Sequence, residues 1–72
     1  MNSLVRFFDI EDETKLLMEG NNVIVPQRHT VVFVFSEPYD VSDITYDYDL
    51  KNNNALIDVI LTKIDMEQRV LH

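Results

Sequence analysis

Residues 55–71 read ALIDVILTKIDMEQRVL, and whether this stretch is a helix or a strand decides the fold. A helix capped by Asn54 places Asp58, Thr62, Asp65, Arg69 and His72 on one polar stripe, at i, i+4, i+7, i+11 and i+14. Leu56, Ile57, Ile60, Leu61, Ile64 and Leu71 then share one apolar arc. Asp65 and Arg69 form an acid-before-base pair at i,i+4, with Arg69 near the negative end of the helix dipole. Strict alternation of polar and apolar residues fails here. Propensity argues the other way, because Ile57, Val59, Ile60, Thr62 and Ile64 are β-branched. They suit a two-faced buried strand paired with residues 44–50 through Asn52-Asn53-Asn54. The polar stripe tips the reading to a helix.

Upstream, the pattern is that of strands. Residues 4–10 (LVRFFDI) are rich in β-branched and aromatic side chains. Glu11-Asp12-Glu13-Thr14 is a polar break before Lys15-Leu16-Leu17-Met18, which predicts a first hairpin. Glu19-Gly20-Asn21-Asn22 supplies residue types that tolerate positive φ in a turn, and Val23-Ile24-Val25 is extended up to Pro26. A further reversal at Gln27-Arg28-His29 leads into residues 30–35 (TVVFVF). With Val31, Phe33 and Phe35 on one face and Val32 and Val34 on the other, this strand is expected to be central in its sheet. Residues 44–50 alternate, with Ile44, Tyr46, Tyr48 and Leu50 facing one way and Thr45, Asp47 and Asp49 the other. The expected fold class is α+β: one domain over residues 1–72, a small antiparallel β-sheet with one C-terminal helix. An all-β, sandwich-like domain is the alternative.

Residues 30–45, TVVFVFSEPYDVSDIT, resemble the strand–loop–strand pattern of bacterial immunoglobulin-like repeat domains, in which a strand ends in F-S-E-P and continues into D-I-T. That resemblance implies an all-β adhesive or spacer module acting through protein contacts. It covers less than a quarter of the chain.

Composition narrows the function classes. The chain has 72 residues, 46% of them hydrophobic, with one glycine and two prolines, which fits a packed core rather than disorder. Six Lys plus Arg against thirteen Asp plus Glu give a formal charge of −7. Such a charge repels nucleic acid and anionic lipid, so neither direct nucleic-acid binding nor a membrane role is expected. There is no cysteine, hence no disulfide and no thiolate metal site. The start at Met1-Asn2-Ser3 has no basic segment followed by an apolar one, and no apolar run is long enough to span a bilayer. The expected location is the cytoplasm of a host cell, or a virion.

No residue constellation points to catalysis, and no enzyme activity and no cofactor are expected. The histidines are His29, in a turn, and His72, at the last position, and neither is placed beside a nucleophile. Asp47-x-Asp49-x-Lys51, with Asp58 at the twelfth position, is a poor calcium loop. Lys51 stands where an oxygen ligand belongs, and Asn52 where glycine is required. No metal site is expected.

The most distinctive composition lies in residues 36–50 (SEPYDVSDITYDYDL), which hold five carboxylates and three tyrosines and no basic residue. Glu37, Asp40, Asp43, Asp47 and Asp49 would form a negative ridge, with Tyr39 as an aromatic anchor, for a protein partner that has a basic surface. This reading gives a non-enzymatic inhibitor of the phage or mobile-element type, which occupies a nucleic-acid-binding surface on a host protein. The same charges also keep a small apolar protein soluble. A second reading starts from residues 31–35, apolar on both faces, because one helix covers only one side of a sheet. The other side calls for a second copy, as a homodimer, or for a place in a larger assembly such as a phage virion or baseplate.

Overall fold

The two-faced apolar pattern of residues 54–63 resolves as a strand. The computed structural model describes residues 1–65 as five strands and no helix: β1 Asn2–Asp9, β2 Asp12–Asn21, β3 Val31–Val34, β4 Glu37–Asp49 and β5 Asn54–Lys63. They form a single curled sheet in the order β2-β1-β5-β4-β3. All neighbours are antiparallel except β1 and β5, which run parallel in unbroken register from Asn2↔Asn54 to Asp9↔Leu61. The described residues are therefore all-β, and β5 stands where the expected C-terminal helix would begin. The fold is not a sandwich either, since one mixed sheet curls on itself, unlike the two antiparallel sheets of an immunoglobulin-like domain.

The helix expectation fails for a physical reason. A central strand has neighbours along both edges, whose side chains flank its outward positions, so these need not be polar, and alternation is hidden from a polar/apolar reading. In β5, Ala55, Ile57, Val59 and Leu61 are buried on the inner face, while Leu56, Asp58, Ile60 and Thr62 are half-buried on the outer one. The polar stripe has a strand explanation. Asp58 meets Arg6 directly across the parallel pair, and the Thr62 hydroxyl meets that of Ser42. Arg69 and His72 lie outside the described residues.

The core sits inside the curl, where Val5 and Phe7 of β1, Val34, Tyr39, Val41 and the four inner residues of β5 pack together. Val25 and Val32 pack against this cluster from the loop and strand that follow β2. The sheet is elongated, 51 × 21 × 18 Å, in keeping with a 13-residue β4 that spans about 43 Å at strand rise. β4 runs well past the four-residue β3. Tyr46 and Tyr48, on its inner side, therefore have a strand neighbour on one side only, and they stack with centroids 6.0 Å apart. Both remain about half exposed.

The expectation of a central strand at residues 31–35 is also overturned. β3 is an edge strand, and Val31, Phe33 and Phe35 face solvent. Gly20 is not in a turn and has no positive φ. It is needed because a Cβ there would come within 2.8 Å of Val23 Cγ1. The described residues that do adopt positive φ are Asn22, just after β2, His29, Phe35, Ser36 and Asn53. Phe35 and Ser36 form the two-residue turn between β3 and β4, and positive φ at both central positions marks a type I′ turn.

Candidate functional site

A bulge decides which way the acidic residues point. β4 pairs with β5 as Asp40↔Thr62 and Val41↔Leu61, then resumes as Asp43↔Ile60 after one extra residue, Ser42. Without that insertion, strict alternation would send Asp40 and Asp47 to opposite faces. With it, Asp40, Asp43, Thr45, Asp47 and Asp49 all lie on the outer face, and all are exposed.

The six residues singled out from the sequence do not form one surface. Tyr39 is only 7% exposed and belongs to the core, because it lies on the inner face beside Val41. It cannot serve as a docking anchor in this conformation. Glu37, at the start of β4, lies 3.7 Å from Lys63 Nζ, and Asp43 accepts a hydrogen bond from Arg28. Asp40 is exposed opposite Thr62. Asp47 and Asp49 come together at the far end of the strand, and among the described residues neither forms an ion pair. Asp49 is held by its turn: Asn52 Nδ2 donates to Oδ2 at 2.7 Å.

Those two carboxylates border an open groove of about 320 Å³, lined also by Asn2, Leu4, Asn21, Asn54 and Leu56. Leu4 and Leu56 are partners in the parallel β1–β5 register, so together they make an apolar floor between amides and carboxylates. No signal in the sequence links them, because the pairing joins residues 52 positions apart and depends on β5 being a strand. Further along the outer face Arg6 binds Asp58 by a two-pronged pair, Nε to Oδ1 at 2.8 Å and Nη2 to Oδ2 at 3.0 Å. It also lies 5.1 Å from the centre of the Phe8 ring. The hydrogen bonds that Arg6 donates to Asp58 raise the Arg6 pKa, against the opposing effect of partial burial. This cation is committed to its neighbour, and among the described residues none pairs with the Asp47–Asp49 end of the face.

Among the described residues no group of three or more His, Asp or Glu is placed to hold a metal ion, so the partial calcium motif around Asp47 is not assembled. No helix among them is long and apolar enough to cross a membrane. No family model, curated protein or solved structure matches the chain.

Proposed function

We propose that the protein is a small, non-enzymatic binding module that receives a basic segment of a protein partner at the Asp47–Asp49 end of its outer face. The observation that supports this reading is the pairing of two exposed carboxylates, without an ion pair among the described residues, with the apolar floor of Leu4 and Leu56. A lysine or arginine side chain has the matching anatomy, with an aliphatic stem for the leucines and a charged head for the carboxylates. Successive outward carboxylates on a strand stand about 6.6 Å apart, so the row can engage cations arrayed along a groove. An inhibitor that fills the nucleic-acid-binding surface of a host protein is the form of this reading in which the acid row takes the place of phosphates.

The test uses a deca-arginine peptide titrated into isotopically labelled protein at low salt and at about 0.15 M salt, with backbone amide shifts as the readout. Saturable shifts centred on Asp47, Asp49, Asn21 and Leu56, weakened by salt and lost in Asp47→Asn/Asp49→Asn, are the expected result. Shifts spread equally over Asp12, Glu13 and the other exposed acids would overturn it.

A further inference from the structure

The two free edges of the sheet are unlike each other. The β2 edge carries Asp12, Glu13, Lys15 and Glu19, and its pairing with β1 is interrupted by register shifts. Charges and bulges of that kind keep an edge from pairing with another chain. The β3 edge has none of these devices: Val31–Val34 is uncharged, and Phe33 and Phe35 beside it are 68% and 83% exposed.

The hydrogen-bonding parity of β3 shows what the bare edge offers. In a two-residue hairpin the closing pair, here Val34 and Glu37, exchanges both ladder bonds. The far end of the ladder agrees, since Val41 N donates to Thr30 O at 2.9 Å. Thr30, Val32 and Val34 therefore turn their backbone groups toward β4, and Val31 and Phe33 turn theirs to the open side. Pro38, opposite Phe33, lacks the N–H that a bonded position would need.

We infer that the β3 edge pairs with the β3 edge of a second copy, antiparallel about a two-fold axis at Val32. In that register Val31 faces Phe33 of the other copy, and the four outward groups of each strand are all bonded. Val32 faces its own counterpart on the inner side. Two observations favour a second copy as the occupant. Residues 23–36 hold no carboxylate and include Arg28, so this is where two copies of a −7 chain approach with least repulsion. The bare surface is also of a fitting size. Phe33 and Phe35 expose on the order of 300 Å² per chain, so with Val31 and the backbone edge two copies have at most about 1,000 Å² to bury, the lower end of specific interfaces, and edge pairing covers only part of it. The association is accordingly weak and concentration-dependent.

Its salt dependence is opposite in sign to that of the basic-partner site. Screening reduces repulsion between two −7 molecules, so association strengthens with salt, whereas a peptide held by Asp47 and Asp49 is released. The two proposals therefore fail separately.

Sedimentation equilibrium from about 1 µM to about 1 mM, at low and moderate salt, is the first test. The mass should rise toward twice that of the chain, more readily at higher salt, and Phe33→Lys should hold it at the monomer value while Leu16→Lys on the β2 edge leaves it unchanged. The register is tested in a chain that otherwise has no cysteine. Val32→Cys should oxidise to a linked dimer several-fold faster than the more exposed Phe35→Cys, because a non-hydrogen-bonded antiparallel pair brings Cα atoms to about 4.5 Å. A monomer at every concentration and salt, open-ended polymers in place of a dimer, or faster linkage through Phe35→Cys would each overturn the inference.

Discussion

β5 and β3 carry the same kind of sequence, apolar on both faces, and they meet opposite fates. β5 has β1 on one side and β4 on the other, and its inner residues Val59 and Leu61 are fully buried. β3 has β4 alone, and only Val34 of its four residues is buried. Apolarity on both faces states a requirement for cover, and it does not say where the cover comes from. Position in the strand order supplies it to β5. β3 is left with an apolar edge that none of the described residues closes.

If that contrast is sound, the two strands must differ sharply in what a truncated side chain costs. Leu61→Ala should destabilise by about 2–5 kcal/mol in a denaturant titration, the range for a fully buried leucine whose surroundings relax incompletely. A cost below about 1 kcal/mol would mean that the inner face of β5 is loosely packed, and the contrast would collapse. The segment that carries the chain from β2 toward β3 offers a smaller effect. Gly20→Ala pushes a Cβ against Val23 and should cost about 1–3 kcal/mol, largely recovered when Val23→Ala is added. Failure of that rescue would place the constraint in the backbone of Gly20 rather than in the contact.

The hairpin that ends β3 should respond with the opposite sign. Phe35 and Ser36 occupy left-handed conformations, for which asparagine and glycine are far better suited. Phe35→Asn with Ser36→Gly should therefore stabilise the fold by about 1 kcal/mol, seen as a raised denaturation midpoint. A destabilised variant would show that the exposed Phe35 ring contributes contacts to the monomer.

The sequence made some of these features legible and concealed others. The first hairpin and the outward alternation of Thr45, Asp47 and Asp49 rest on local pattern, and β1, β2 and β4 reproduce them. Residues 54–63 were illegible as a strand because Leu56 and Ile60 occupy outward positions, half-buried between the neighbouring strands β1 and β4, where a polar residue would have exposed the period of two. The central placement expected for β3 failed because it used apolarity as a proxy for strand order, which depends on the long-range parallel pairing of β1 with β5. The outward placement of Asp47 and Asp49 follows from local alternation alone. Tyr39 was misplaced because it lies upstream of the bulge at Ser42, and one inserted residue reverses the face of everything before it relative to everything after.

The smallest expected change in the isolated chain is at Phe33. This ring is 68% exposed, so Phe33→Thr removes little buried surface, and threonine suits a strand. In dilute protein its stability should match wild type within about 0.5 kcal/mol, the usual range for a surface substitution. Concentration separates the two. A native state that self-associates gains stability by mass action, so the wild-type melting temperature should climb with protein concentration while that of Phe33→Thr stays level. Threonine in β5, at Val59, should instead cost about 1–3 kcal/mol at any concentration, since a hydroxyl there is buried without a partner. If instead Phe33→Thr destabilises the dilute chain by more than about 1 kcal/mol, its ring is covered from within, and β3 is closer to β5 than the edge position suggests.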